Sequence, residues 1–140
     1  MPRIDIQLIN RKIKLVSEDL AILKKYKDLT LDEYLNDPEI KLIIERLLEI
    51  ITGQVIDINY HILKEEYESI PTDYYNSFIN IAKNKIITEE FAEEIAKSAG
   101  LRNALAHNYD KIDDELVFNS IKIAIIQIPQ YLSKILEFLK

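Results

Sequence analysis

Three side chains that together could cleave RNA lie close in the segment RNALAHNY, residues 102–109. Cleavage without a metal ion needs a base for the ribose 2′-hydroxyl proton, an acid for the leaving oxygen and a cation for the phosphate oxygens. Histidine titrates near neutral pH, so His107 is suited to the first two tasks. Arg102 is always charged and can bind a phosphate through two parallel donors. Together with Tyr109, these residues form a candidate site for phosphodiester chemistry.

An ordinary structural interpretation of the same residues stays open. An arginine in a salt bridge, a satisfied polar histidine and a core tyrosine often occur near a helix end, and spacing alone favours that interpretation. On one regular helix, at 100° per residue, Arg102 and Tyr109 share a face and His107 points about 140° away. The polar turn formers that follow predict that the helix ends or distorts near Ala106 and His107, which would let the three groups converge.

The elements that must position this segment are helical. Apolar residues recur at threes, fours and sevens and predict a first helix over residues 4–26. Asp37 followed by Pro38 signals the start of a second, long helix that reaches residue 64. Gly53 inside that helix costs about 1 kcal/mol relative to alanine. We expect the close approach of a neighbouring helix to be its reason.

The second half of the chain continues the helical pattern. A connection at Pro71 precedes a shorter helix over residues 74–84. Thr88 caps a helix that runs into the RNALAHNY segment, and Asp113 or Asp114 caps the last helix, which Pro129 should kink. The sequence therefore predicts an all-α, antiparallel bundle of four to five helices with short connections.

Composition excludes several classes of protein. A chain of 140 residues fits one domain, so we expect residues 1–140 to form a single unit. The absence of cysteine excludes disulfides, thiolate metal sites and a thiol nucleophile. Two glycines cannot build a nucleotide-binding loop, and two histidines argue against a multi-histidine metal site, so no cofactor or metal is expected. No apolar run is long enough for a membrane span and no secretion signal is visible, so we expect a cytoplasmic protein without a membrane partner.

Charge is unevenly distributed along the chain. The net charge is -6, yet residues 1–27 hold seven Lys/Arg against three Asp/Glu, and residues 28–75 hold three against twelve. An RNA partner would need a local basic surface. The acidic segment is either solvated or faces a basic partner.

The pattern Arg, four residues, His, one residue, Tyr resembles the signature of the HepT branch of the HEPN superfamily. Its context, KSAGLRNALAHNYDKIDDELV, is similar as well. Further residues fall where the family has similar ones: Glu45 with Arg46, Asp57 with His61, and Pro71 with Tyr74. The resemblance covers nearly the whole chain and implies a HEPN-like helical bundle.

The resemblance also implies a function. HepT-like proteins are toxins of toxin–antitoxin systems and metal-independent endoribonucleases, and they form homodimers in which two motifs face a shared cleft. Their partner is a minimal nucleotidyltransferase antitoxin that transfers AMP to the motif tyrosine. By motif position, Arg102 is the phosphate-binding residue, His107 the general acid/base and Tyr109 the AMP acceptor. The protein would act on RNA as a homodimer, alone or in a larger complex with the antitoxin.

Other residues are candidates for supporting roles in RNA binding: Asn103, Asn108, Arg46, Asp57 and His61. Asp57 and His61 share a helix face, so a local hydrogen-bonded pair or an interface histidine is the plainer interpretation. Lysines near the motif in sequence could form a rim that follows RNA phosphates: Lys83, Lys85, Lys97 and Lys111. Several tyrosines could stack on bases but at helical spacing are more typical of a core.

Two functions remain open from the sequence. The first is an RNA-cleaving toxin that its partner neutralises. The second is a non-catalytic helical module that docks a nucleotidyltransferase and holds a nucleotide. The acidic net charge favours the module, because a free nuclease benefits from attraction to RNA. The presence of both Arg102 and His107 favours the enzyme.

Overall fold

The computed structural model describes residues 3–107 and 112–140, and these fold into an all-α bundle. The α-helices in these residues are α1 Ile6–Leu23, α2 Leu31–Asn36, α3 Pro38–Tyr67, α4 Tyr74–Lys83, α5 Glu89–Ile95, α6 Lys97–His107 and α7 Asp114–Phe138. A short 3₁₀ helix, Lys24–Tyr26, extends α1. The all-α prediction is confirmed. The predicted count of four to five helices is too low, because seven occur in the described part.

The additional helices are short. Helix α2 is a six-residue piece closed by a capping box, in which the Thr30 hydroxyl and the Glu33 carboxylate each accept from the other residue's backbone amide. The helix predicted from Thr88 to the motif is divided into α5 and α6 at Ala96. There the Ala99 amide donates to the Ala96 carbonyl only three residues earlier, at 3.0 Å. The Ser98 hydroxyl donates to the Ile95 carbonyl at 2.6 Å, so this carbonyl has a hydrogen-bond partner within the tighter turn.

Helix α3 is the central element, and α1, α2, α4, α6 and α7 all pack against it. It begins as predicted, since the Asp37 carboxylate accepts from the backbone amides of Glu39 and Ile40 at 3.1 Å and Pro38 occupies its first turn. Its buried side consists mostly of aliphatic residues: Ile44, Leu47, Leu48, Ile51, Val55, Ile56, Ile58, Ile62 and Leu63. Full burial of such a side chain contributes about 1.5–3 kcal/mol. The core is therefore organised around α3.

A buried chain of polar groups joins α7, α3 and α4. The Tyr131 hydroxyl donates to Asn59 Oδ1, the Asn59 amide donates to Ser77 Oγ at 3.1 Å, and the Ser77 hydroxyl donates to the Tyr74 carbonyl at 2.7 Å. Tyr131, Asn59 and Ser77 are fully buried. Burial raises the pKa of Tyr131 well above its ordinary value. Because each buried polar group has a partner, the network holds the first turn of α4 against α3.

The last helix starts where the capping pattern predicts. The Asp113 carboxylate accepts from the Glu115 and Leu116 amides, at 3.1 and 3.2 Å. Helix α7 runs on through Pro129, so the proline does not end it, and the expected kink stays a prediction. None of the described helices is long and apolar enough to span a membrane.

Candidate active site

Helix α6 carries the described residues of the motif. Leu101 and Leu105 are buried against the bundle, which leaves Arg102 half-buried beside the core and Asn103 and His107 exposed. Helix α6 is described as far as His107, and residues 112 and 113 before α7 are not helical. Asn108 and Tyr109 lie outside the described residues, and their predicted roles remain predictions.

The side chain of Arg102 rests against α4 and α3. Its guanidinium carbon lies over the ring of Tyr74, 5.3 Å from the ring centroid, which is a cation–π contact. Its Nε lies 3.7 Å from the position that a Cβ would take at Gly53 of α3. Within the described part of the chain, Arg102 forms no ion pair with a carboxylate. Its donors are therefore oriented but not neutralised by a described acidic partner.

Arg102 closes one side of a shallow groove of about 200 Å³ that follows α3. The groove is lined by Arg46, Glu49, Ile50, Gly53, Gln54, Asp57 and Arg102. At 100° per residue, Arg46, Gly53 and Asp57 share one face of the helix to within about 40°. The structure thus brings two predicted supporting residues, Arg46 and Asp57, beside Arg102.

Both carboxylates in the groove already have a basic partner. Lys12 of α1 donates to Gln54 Oε1 at 2.9 Å and lies 3.4 Å from Asp57 Oδ2. Arg46 lies 3.6 Å from Glu49 on the next turn of α3. Three basic side chains therefore face two acidic ones, which leaves the groove with one positive charge in excess.

His61 lies further along the same helix but is engaged elsewhere. Its Nε2 accepts a hydrogen bond from the backbone amide of Asp5, the N-cap of α1, at 2.9 Å. The expected local pair of Asp57 and His61 is wrong, since in the described structure each has a different partner. This contact makes His61 a link between α3 and the start of α1.

Arg102 and His107 do not converge through helix geometry alone. They are five residues apart on the same helix, which separates their directions by about 140°. Helix α6 stays helical through His107, and an end directly after that residue would lie outside the described residues, so the expected end remains a prediction. One phosphate can therefore contact both groups in two ways. Either the long Arg102 side chain extends around the helix towards His107, or the arginine and the histidine come from two copies of the chain.

Comparison with known proteins identifies the family. Residues 16–135 match the family described as Ribonuclease HepT-like. This chain belongs to the HepT-like family. The tRNA nuclease HepT of Aphanizomenon flos-aquae (strain 2012/KM1/D3) is 41% identical over 139 residues, which cover 99% of this chain and 95% of that protein.

Solved structures share the fold of this chain. The tri-AMPylated HEPN toxin of Shewanella oneidensis, solved in complex with an MNT antitoxin, matches with a TM-score of 0.81 and 23% identity over 91% of this chain and 96% of that one. The cytosolic protein YutE of Bacillus subtilis matches with a TM-score of 0.87 and 16% identity over 99% of this chain and 93% of that one. The predicted HEPN-like bundle is thereby confirmed.

Sequence reasoning missed Lys12 as a neighbour of the groove, and it did not foresee that Gly53 and Tyr74 lie beside the Arg102 side chain. Gly53 stood out in the sequence as a glycine inside a helix, and its described neighbour is a side chain of the adjacent helix α6. Among described atoms, only Arg102 Nε would lie within 4 Å of its Cβ, so no helix backbone presses on it. Tyr74 falls where the family has a similar residue, but nothing in the sequence indicates its contact with Arg102.

None of the described lysines of the predicted rim lines the groove. Lys83 and Lys85 are exposed near the end of α4, and Lys97 pairs with Glu94 at 3.6 Å. Lys111 lies outside the described residues. The described lysine that borders the groove is Lys12 of α1, which belongs to the positively charged segment of residues 1–27.

Most of the described tyrosines lie in the core or pack against it, as a core interpretation predicts. Tyr34 and Tyr131 are fully buried, and Tyr75 is exposed. Tyr60 and Tyr74 are partly buried and contact each other edge to face, with centroids 6.0 Å apart. Tyr74 thus links this aromatic pair to the Arg102 guanidinium.

Proposed function

We propose that this HepT-like protein is the toxin of a toxin–antitoxin system and a metal-independent endoribonuclease. The observation that carries the proposal is the Arg102 guanidinium, which is oriented by Tyr74 and has no described acidic partner in a groove whose two carboxylates are paired with Lys12 and Arg46. An arginine held in this manner is suited to bind a phosphate through two donors. Family membership and the 41% identity to a tRNA nuclease support the same function.

The proposed reaction uses the ribose 2′-hydroxyl of the substrate as nucleophile. A neutral His107 takes the hydroxyl proton, the 2′-oxygen bonds to phosphorus, and the bond to the 5′-oxygen of the next nucleotide breaks. A protonated imidazole returns a proton to that oxygen, leaving a 2′,3′-cyclic phosphate and a 5′-hydroxyl end. Arg102 stabilises the negative charge that builds up on the phosphate oxygens. The substrate class is RNA, because DNA lacks the 2′-hydroxyl.

One histidine cannot be base and acid at the same instant, so we assign the two roles to His107 of two copies in a homodimer. The exposed position of His107 at the end of α6 supports this assignment, since a second copy can approach it. A mixed dimer with His107→Ala in one subunit tests the division of roles. Activity per dimer should fall strongly, and full retained activity would refute the assignment.

For regulation, we propose that a nucleotidyltransferase antitoxin transfers AMP from ATP to the Tyr109 hydroxyl, with pyrophosphate as the leaving group. The S. oneidensis toxin of the same fold is described as tri-AMPylated and in complex with such an antitoxin. An AMP attached two residues after His107 would bring a phosphate that competes with RNA for Arg102. The modification would therefore block the site by both volume and charge.

The alternative is a binding module that docks the nucleotidyltransferase and holds a nucleotide without cutting RNA. The net charge of -6 favours it, because it opposes long-range attraction to RNA. In this function Arg102 would bind the nucleotide phosphate, and His107 would be dispensable.

Incubation of the unmodified protein with RNA in a metal chelator separates the two functions. We expect cleavage by wild type, loss of at least about a hundredfold in His107→Ala, as is usual for removal of a general acid/base, and wild-type activity in the exposed control Arg11→Ala. Mass spectrometry must first show that Tyr109 carries no AMP. An unmodified wild type that cuts no RNA would support the binding module.

A further inference from the structure

Gly53 occupies the floor of the groove without a described structural reason. Glycine weakens a helix interior relative to alanine, and Gly53 lies in the middle of the 30-residue helix α3. A Cβ at this position would meet one described atom within 4 Å, Arg102 Nε at 3.7 Å, and that distance is an ordinary contact. Packing among the described residues therefore leaves room for alanine at Gly53.

The surroundings of Gly53 suit a negatively charged chain. Arg102 borders the same groove, with its Nε 3.7 Å from the Cβ position, and Arg46 lies seven residues earlier on the same face, about 10.5 Å along the helix axis. The nearby carboxylates of Glu49 and Asp57 are already paired with Arg46 and Lys12. Bare backbone between two arginines lets a polymer backbone come closer to the helix than any side chain would permit.

We propose that an RNA strand lies directly on the backbone of α3 at Gly53, with one phosphate on Arg102 and a neighbouring phosphate towards Arg46. This subsite rests on the proposed ribonuclease function and adds the path of the substrate to it. Gly53 then acts as a substrate-contact residue through the absence of a side chain. The fold tolerates alanine there, but the bound strand does not.

Two matched glycine substitutions test the subsite. Gly53→Ala adds a methyl group to the groove floor, whereas Gly100→Ala adds one on α6, where a Cβ meets nothing within 4 Å among described atoms. Both should raise the melting temperature by about 2–4 °C, because each removes a helical glycine. Only Gly53→Ala should weaken RNA binding, by about fivefold or more, as expected for an added methyl in a close contact.

Binding is measured by fluorescence anisotropy with a labelled tRNA transcript, and every variant carries His107→Ala so that the RNA stays intact. The inference is supported if Gly53→Ala is more stable but binds RNA more weakly while Gly100→Ala binds within about twofold of its parent. It is overturned if Gly53→Ala leaves RNA affinity unchanged, or if it lowers the melting temperature, which would make Gly53 a requirement of the fold.

Two further outcomes separate this inference from others. If Gly53→Ala changes the dimer dissociation constant or antitoxin binding but not RNA affinity, the groove floor contacts a protein and the RNA subsite is overturned. If the predicted binding pattern appears but wild type cuts no RNA, the ribonuclease proposal fails while the subsite stands. Absence of RNA binding in the His107→Ala parent overturns the subsite irrespective of cleavage by wild type.

Discussion

Replacement of Tyr74 by leucine removes the ring on which the Arg102 guanidinium rests. The contact measures 5.3 Å from the guanidinium carbon to the ring centroid, and Arg102 is half-buried there. A cation–π contact contributes about 0.5–1 kcal/mol at an exposed site and about 2 kcal/mol when desolvated, so we assign it about 1 kcal/mol. At 1.4 kcal/mol per tenfold, loss of the oriented guanidinium should lower kcat/KM for RNA about fivefold.

Two controls separate orientation of Arg102 from loss of stability. Tyr74→Phe keeps the ring and should retain activity within about twofold. Tyr75→Leu removes the neighbouring exposed tyrosine and should leave cleavage unchanged. Nε–H resonances of the four arginines provide a readout without activity, since the Arg102 resonance should carry a ring-current shift that Tyr74→Leu abolishes and Tyr74→Phe keeps. An unaltered Arg102 resonance and full activity in Tyr74→Leu would refute the reasoning.

Two further predictions concern stability. Tyr131→Phe leaves the buried Asn59 Oδ1 without its hydroxyl donor and should lower the melting temperature by about 3–10 °C, corresponding to about 1–3 kcal/mol. Tyr67→Phe, at a partly exposed tyrosine, should change the melting temperature much less. Equal changes in thermal melts of the two variants would contradict the network. Burial and the Asp114 carboxylate raise the pKa of Glu45, so the folded protein holds this proton at pH values where the unfolded chain has lost it, and stability falls as pH rises through that range. Glu45→Gln should therefore be more stable than wild type at pH 7 and lose that advantage below the ordinary glutamate pKa of about 4.3. Urea unfolding at several pH values measures this difference in stability. Lower stability of the variant at pH 7 would contradict this account.

Local signals account for the helices that sequence reasoning placed well. Asp37 followed by Pro38 marked the start of α3, and Asp113 marked the start of α7, because a capping carboxylate acts within two or three residues of itself. The division between α5 and α6 at Ala96 was missed. It depends on a tight turn satisfied by the Ser98 hydroxyl, and neither residue type signals such a turn in a sequence.

The candidate site was predicted in part for a similar reason. Arg102 could be singled out from a short pattern, but its contacts with Tyr74 and Gly53 join residues 28 and 49 positions away in the sequence. Helical periodicity carries no information on such distant contacts. For Asp57 and His61 the sequence suggested a contact that the structure does not contain. Their spacing of four residues favoured a local pair, but His61 bonds to the Asp5 amide and Asp57 to Lys12 of α1.

A double-mutant cycle on RNA cleavage tests most directly whether Arg102 and His107 act on one phosphate. The quantity measured is kcat/KM in a metal chelator for wild type, Arg102→Ala, His107→Ala and the double variant, all free of AMP. Groups that act as a unit are strongly non-additive, so the double variant should be little worse than the more damaged single variant. Losses that multiply in full, or a single variant with wild-type activity, would contradict a shared site.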